Sequence, residues 1–170
     1  MKKREDESLP NNKIAHPYAS YITDTLTGYF MGEGVSYSSL DTEAVDELKM
    51  ILEYNDEQDE NTELAKDMSI FGSSVELLYI DEDSMIRLKR IDPREIIVVY
   101  DDTLNEDILY GIRYYPCEDI VTDEKYYMIE VYTDNEIIVY KSNELISNLV
   151  EQYRMPHYFA MCPVVVYNNN

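Results

Sequence analysis

The sequence predicts an α+β fold in which about three helices are followed by an antiparallel β-meander. Apolar residues recur with a helical period from about residue 14 to residue 72, and with a period of two from about residue 74 to residue 167. The helical and β-rich parts follow each other instead of alternating, which favours α+β over α/β. At 170 residues and 45% hydrophobic content, the chain is long enough to bury a core of its own.

The first predicted helix follows a polar arm, residues 1–12, and opens the single domain that we expect over residues 13–170. Gly28 and Gly32 predict the end of this helix, because glycine is the residue that most often terminates one. Its apolar residues recur every four positions, as a helix requires, at Ile14, Tyr18, Ile22 and Leu26.

Two further helices are predicted before the β-rich part. Asp41 is a suitable N-cap for the second helix, residues 42–55, whose apolar stripe comprises Val45, Leu48 and Leu52. Asn61 is predicted to cap the third helix, and Gly72 to end it. The side of the third helix that we expect to be buried carries Leu64, Met68 and Phe71.

The β-rich part contains several runs with strand periodicity. Asp134 and Asn135 separate two of them and predict a hairpin turn. Pro116 is expected to end one strand, and the segment 143–153 is predicted to be weakly ordered or helical. The run 95–100 is apolar on both faces, which is typical of a central strand. The predicted strands are 74–80, 85–91, 95–100, 108–115, 125–133, 136–141 and 164–167.

The charge balance is strongly acidic and excludes several classes of protein. Fourteen Lys and Arg against 35 Asp and Glu leave a formal net charge of −21. Such a chain repels phosphate backbones and anionic membrane surfaces, which argues against a reader of nucleic acid. It has neither an apolar run of membrane-spanning length nor the apolar core of a signal peptide. Cys117 and Cys162 are far apart in sequence, and we expect free cytosolic thiols.

Motifs for catalysis, cofactors or metals are missing from the sequence. His16 and His157 each lack a neighbouring cysteine or second histidine, and no glycine-rich loop lies between a strand and a helix. The acidic loops 81–84 and 101–107 fail the register of a calcium-binding EF-hand, so they allow weak, adventitious cation binding at most. We therefore assign no catalytic, cofactor-binding or metal-binding residue.

Glu76 and Glu130 are the least arbitrary candidates for a paired-carboxylate site, because each interrupts an apolar strand pattern. If they point inward, they should meet one of the arginines Arg87, Arg90 or Arg113. A buried glutamate with a raised pKa in a cleft would favour a hydrolase, whereas two solvated or arginine-paired glutamates would argue against one.

Five basic residues form a candidate site of another kind. They lie close together in a chain that is otherwise acidic: Arg87, Lys89, Arg90, Arg94 and Arg113. In one interpretation they neutralise neighbouring carboxylates across the sheet. In the other they form the basic region of a subunit interface and contact an acidic face of another copy. That charge asymmetry suits head-to-tail assembly into a ring.

The order and spacing of four segments resemble the portal proteins of tailed bacteriophages. The segments are residues 10–37, 61–102, 110–115 and 130–140. The specific part is the succession of "GYFMG", "FGSSVELLY" and "IDPREIIVVYDD". The nearest resemblance is to the portal family of siphophages and of prophages in Gram-positive bacteria.

This resemblance implies a structural protein without enzymatic activity or cofactor. It would be a subunit of the ring, twelve-fold in virions, that docks the terminase motor and later connects head to tail. Implied partners are other portal subunits, terminase, capsid or scaffold proteins and head–tail adaptors. The implied locations are the portal vertex of the virion and, during assembly, the host cytoplasm.

The resembling region corresponds to the wing, the α+β part on the outside of the ring. The stem, clip and crown are expected to be absent from this chain, and double-stranded DNA would meet only those missing channel regions. Alone, the fragment is expected to be a monomer or a weak oligomer without membrane contact.

The alternative function is an acidic DNA mimic or an adaptor that acts by protein–protein binding. A DNA mimic needs carboxylates spaced like phosphates along an exposed surface. Here the carboxylates are scattered between apolar positions.

Overall fold

The computed structural model describes residues 16–144 and 147–169, so the predicted polar arm 1–12 lies outside the described residues. Three helices precede the strands, and every strand pair is antiparallel, which confirms the α+β prediction. The helices are α1 (Tyr18–Phe30), α2 (Thr42–Tyr54) and α3 (Glu57–Phe71). The strands are β1 (Ser73–Ile80), β2 (Ile86–Ile91), β3 (Ile96–Tyr100), β4 (Ile108–Glu118), β5 (Lys125–Tyr132), β6 (Glu136–Ser142), β7 (Val150–Pro156) and β8 (Val164–Asn168).

The strands divide into two sheets. The three-stranded sheet has the order β2-β1-β8, and the five-stranded sheet has the order β3-β4-β5-β6-β7. The last strand returns to pair with the first, so that Val75 of β1 lies opposite Val166 of β8. The run 95–100, predicted as a central strand, is instead the edge strand β3, and its Ile97 is exposed.

The hydrophobic core lies between the two sheets. Gly111 of β4 lets them approach closely, because a Cβ atom at this position would lie 2.5 Å from Cγ2 of Val164. Any larger residue there would force the sheets apart. The buried residues of the core are Val75, Leu77, Ile91, Ile96, Tyr132, Ile137, Val139, Cys162 and Val164.

Helix α3 covers the other face of the three-stranded sheet through Leu64 and Ala65, which are buried. Asp67, only 1% exposed, accepts hydrogen bonds from Nε and Nη2 of Arg90 on β2, the latter at 2.8 Å. Such a two-point contact between a guanidinium and a carboxylate is geometrically specific. It therefore fixes α3 on the sheet.

Side chains from the junction of α2 and α3 close the outer edge of β2. The side-chain amide of Asn55 donates to the carbonyl of Ile86 at 2.9 Å and accepts from the backbone N–H of Leu88 at 2.9 Å. Glu60 accepts the backbone N–H of Arg90 at 3.1 Å. These contacts satisfy main-chain groups that an edge strand otherwise leaves unpaired.

The predicted helix ends are confirmed in part. Asp41 caps α2, since its Oδ1 accepts the backbone N–H of Ala44, and Gly72 ends α3 in a left-handed conformation with φ of 81°. Asn61 does not cap α3, which begins earlier, at Glu57. Phe71, predicted to be buried, is exposed at the end of that helix.

Two strand predictions were wrong. Pro116 does not end β4, which continues to Glu118. Beyond Arg113, β4 is paired with β5 alone. The missing N–H of the proline therefore costs no hydrogen bond to β3. The segment 143–153 was expected to be weakly ordered or helical, but β7 begins at Val150. All residues of β7 are exposed, which explains why it carries no apolar pattern.

Candidate functional site

Each of the five basic residues predicted for a subunit interface forms an ion pair within its own chain. The pairs are Arg87–Asp81, Lys89–Glu60, Arg90–Asp67, Arg94–Asp92 and Arg113–Glu130. The neutralising interpretation accounts for these contacts. Lys89 and Arg94 have the most exposed side chains of the five. The interface role stays a prediction, and these two are the residues best placed to reach a partner.

Glu130 lies at the centre of a partly buried polar network in the five-stranded sheet. It accepts from Nη1 of Arg113 at 3.2 Å and from the hydroxyl groups of Tyr115 at 2.9 Å and Tyr132 at 2.7 Å. Burial, together with the charge of Glu130, raises the pKa of both tyrosines. The prediction that an inward-pointing Glu130 meets an arginine is confirmed.

This network lines a cavity of about 450 Å³ that we call the inter-sheet cleft. Leu77 and Ile137 contribute buried apolar lining, whereas Tyr153, Met155 and Tyr158 are exposed and form its mouth. Nε of Arg113, which also lines the cleft, is buried and has no hydrogen-bond partner among the described residues. The cleft therefore combines apolar walls with a polar part formed by Arg113, Glu130 and Tyr132.

Glu76 is buried as well, with 6% of its surface exposed, but it meets no arginine of the described residues. Its Oε2 accepts the hydroxyl of Tyr167 at 2.9 Å, and burial raises the pKa of the carboxyl. Because side chains alternate along β1, Glu76 faces the helices whereas its neighbour Leu77 faces the cleft. Glu76 and Glu130 thus lie on opposite sides of the three-stranded sheet and form no paired-carboxylate site.

The two acidic loops use their carboxylates to stabilise their own turns. Oδ1 of Asp81 accepts the backbone N–H of Met85 at 2.9 Å, which lowers the pKa of Asp81. Oδ1 of Asp101 likewise accepts the N–H of Asp107 at 3.1 Å. Within residues 16–144 and 147–169, no three His, Cys, Asp or Glu residues come together as a metal site would require. Both cysteines are free, as predicted.

The surface of α1 is the feature that sequence reasoning missed. Thr27, 4% exposed, faces α3, and Thr23 accepts a hydrogen bond from Ser69 of α3. The large apolar side chains of α1 are exposed, Tyr29 to 92%, and Leu26, Tyr29 and Phe30 border a cavity beside α3. We call the outer face of α1 the surface formed by Tyr18, Tyr21, Ile22, Leu26, Tyr29 and Phe30. Its four-residue period was visible in the sequence, but periodicity does not show that a face lacks a partner.

None of the helices in the described part of the chain has the length and apolar character needed to cross a membrane.

Comparison with known proteins gives two matches. The whole chain, residues 1–170, matches the family described as "Phage portal protein, SPP1 Gp6-like". The chain is also similar to the portal protein of Bacillus phage SPP1, with 30% identity over 142 residues. This alignment covers 80% of the chain and 27% of the SPP1 protein. The chain therefore spans well under half of the length of this relative.

Proposed function

Because the chain belongs to the family of SPP1 Gp6-like phage portal proteins, we propose that it is the outer wing region of a portal subunit. In this role it is part of the ring at one vertex of the phage head, through which DNA is packaged and ejected. The family match over the full length of the chain carries this proposal.

The described architecture supports the assignment to the wing. In a portal subunit of the kind that the resemblance implies, an α+β region is expected on the outside of the ring and long helices in the stem. Here the longest described helix, α3, has 15 residues, and three helices are combined with two antiparallel sheets. The chain thus has the features expected of the wing.

The charge supports a structural role beside DNA rather than on it. With a net charge of −21, the surface repels the phosphate backbone and does not retain a passing duplex. Contacts with DNA are left to channel regions outside this chain. The proposed partners are other portal subunits, terminase, capsid or scaffold proteins and head–tail adaptors.

The chemistry of the described residues supports a role without catalysis. Glu130, which lines the inter-sheet cleft, is held by Arg113, Tyr115 and Tyr132. Glu76 is buried on the opposite side of the three-stranded sheet. Neither arrangement presents two carboxylates to a common substrate.

The proposal is tested by locating the protein in phage particles. Particles are purified from the host that carries this sequence and labelled with gold-conjugated antibodies raised against the chain. We expect label at the single vertex where head and tail meet, and peptides of the chain in digests of the particles. Label spread over the whole shell, or absent from particles, overturns the proposal; a DNA mimic or soluble adaptor gives the second result.

A further inference from the structure

The outer face of α1 is an apolar surface without a partner among the described residues. Its six large side chains are all more than half exposed. Contiguous apolar surfaces of this kind on a folded protein mark interaction sites, and exposed aromatic side chains supply most of the binding energy in such sites.

The mouth of the inter-sheet cleft is a second exposed apolar surface. Tyr153, Met155 and Tyr158 surround the opening, and the cavity of about 450 Å³ behind them can receive a side chain of another molecule. Inside, Arg113, Glu130 and Tyr132 give the lining a polar part. A tyrosine that enters the cleft brings both an apolar ring and a hydroxyl that can accept a hydrogen bond.

Charge favours contact between these two surfaces. Two copies of a chain with 35 acidic and 14 basic residues repel each other over most of their surfaces. In the helix Tyr18–Phe30, Asp24 is the one ionisable side chain apart from tyrosine. The segment 153–161 has no acidic residue, and its Arg154 is paired with Glu136 and Glu151. Copies can therefore approach most easily where α1 meets this segment.

The fold keeps the two surfaces apart within one molecule. Helix α1 packs on α3, which covers the helix side of the three-stranded sheet, whereas the cleft lies between the sheets on the other side. A contact between them must join two molecules. Since it uses different surfaces on each partner, it is heterologous, and contacts of this type generate rings when they close.

We propose that the outer face of α1 in one copy docks at the mouth of the inter-sheet cleft in a second copy of this chain, with Tyr29 entering the cleft. This interface deepens the proposed function and rests on it, because it supplies a contact between neighbouring subunits of a ring. In the isolated chain it produces weak head-to-tail self-association.

Cross-linking of engineered cysteines tests the contact directly. In a Cys117→Ser background, one protein carries Leu26→Cys and the other carries Met155→Cys. The two are mixed at high concentration and oxidised, and the disulfide-linked products are identified by mass. We expect mixed dimers in about tenfold excess over a control mixture in which Leu104→Cys, in the exposed β3–β4 loop, replaces Met155→Cys.

Sedimentation velocity over a concentration series adds an energetic test. Tyr29→Ala is expected to weaken self-association about tenfold or more, as truncation of a central aromatic anchor does. Tyr110→Ala, a matched change at an exposed tyrosine outside both surfaces, is expected to leave self-association unchanged.

In the cross-linking experiment, no excess of mixed dimers over the control overturns the proposed interface. Predominant Leu26→Cys homodimers overturn it as well, because they show that two α1 faces pair. In the sedimentation experiment, equal effects of Tyr29→Ala and Tyr110→Ala overturn it. Vertex labelling of particles is independent of these results. Label at the vertex without mixed dimers leaves the portal function and removes this interface, whereas missing label removes the portal function itself.

Discussion

In helices α1 and α3, the amino-acid composition does not match the degree of burial. Helix α3 is rich in acidic residues, yet it lies directly on the three-stranded sheet through Leu64 and Ala65, with Asp67 buried in the same contact. Helix α1 has the more apolar sequence, yet it meets the protein through Thr23 and Thr27 and exposes its aromatic residues. The position of a helix therefore follows its specific contacts, and an apolar stripe that stays exposed can bind another molecule.

The largest expected effect concerns the ion pair that holds α3. Arg90→Met leaves the carboxylate of Asp67, which is 1% exposed, without its partner. We expect the free energy of unfolding, measured with urea, to fall by about 3–5 kcal/mol, because an unpaired buried charge is costly.

Two further variants sharpen this test. Arg154→Met removes an exposed ion pair with Glu136 and Glu151 and should cost less than about 1 kcal/mol. The double variant Asp67→Leu with Arg90→Met should recover most of the loss, since no buried charge remains. If the double variant is as unstable as Arg90→Met alone, the lost stability comes from the missing Asp67–Arg90 interaction and not from an unpaired buried carboxylate.

The same substitution in both helices tests the comparison most directly. Leu64 of α3 is 5% exposed, whereas Leu26 of α1 is 57% exposed. Leu64→Ala should lower the free energy of unfolding by about 2–5 kcal/mol through lost burial and a residual cavity. Leu26→Ala should change it by less than about 0.5 kcal/mol, as surface changes do. Urea denaturation at a concentration where the chain is monomeric measures both, and comparable losses would mean that α1 is integrated as firmly as α3.

A smaller effect is expected at the buried glutamate between the helices and the sheet. Burial raises the pKa of Glu76 above its ordinary value of 4.5. The folded protein then binds a proton more tightly than the unfolded chain, so stability falls as pH rises from 4.5 through the raised pKa. Glu76→Gln lacks this dependence. The free energy of unfolding of the variant minus that of the parent should therefore rise across this pH interval and stay constant above it.

Urea midpoints measured over a pH series check this expectation. Glu82→Gln, in the exposed turn between β1 and β2, is the matched control. Parallel curves for Glu76→Gln and the parent protein would contradict the assigned cost of burying this carboxylate.

The smallest effect is expected in the connection between β2 and β3. There Arg94 contacts both Asp92 and the ring of Phe71, the last residue of α3. The hydrogen bond from Arg94 lowers the pKa of Asp92 from 3.8 to about 2. Its charged form therefore stabilises the fold above pH 3.8, and this contribution disappears as pH falls through about 2. Asp92→Asn should cost less than about 1 kcal/mol at neutral pH. Thermal unfolding should show that the stability difference between Asp92→Asn and the parent disappears at acidic pH. A difference that does not change with pH would mean that it comes from packing.

Local patterns predicted the fold class, most element types and several boundaries. Asp41 and Gly72 were informative because caps and left-handed glycines act within a few residues. The division into two sheets was not predictable in this way, since β8 pairs with β1 across about ninety residues. The exposed strand β7 carries no alternation to detect.

The candidate site was predictable only in its components. The sequence indicated that an inward-pointing Glu130 would meet one of three arginines, Arg87, Arg90 or Arg113, and it meets Arg113. The cleft depends on the spacing between two sheets, and the exposure of α1 depends on which of its faces meets α3. Both are tertiary properties that a single sequence does not encode locally.

The closed edge of β2 has a consequence for the behaviour of the protein when many copies are synthesised together. An unpaired strand edge acts as a template on which strands of other molecules add, and such growth leads to fibrillar aggregates. Asn55 and Glu60 already occupy three of the main-chain groups on the outer edge of β2, the carbonyl of Ile86 and the N–H groups of Leu88 and Arg90. On this side of the molecule, an incoming strand therefore finds fewer free main-chain partners, and crowding favours strand addition less.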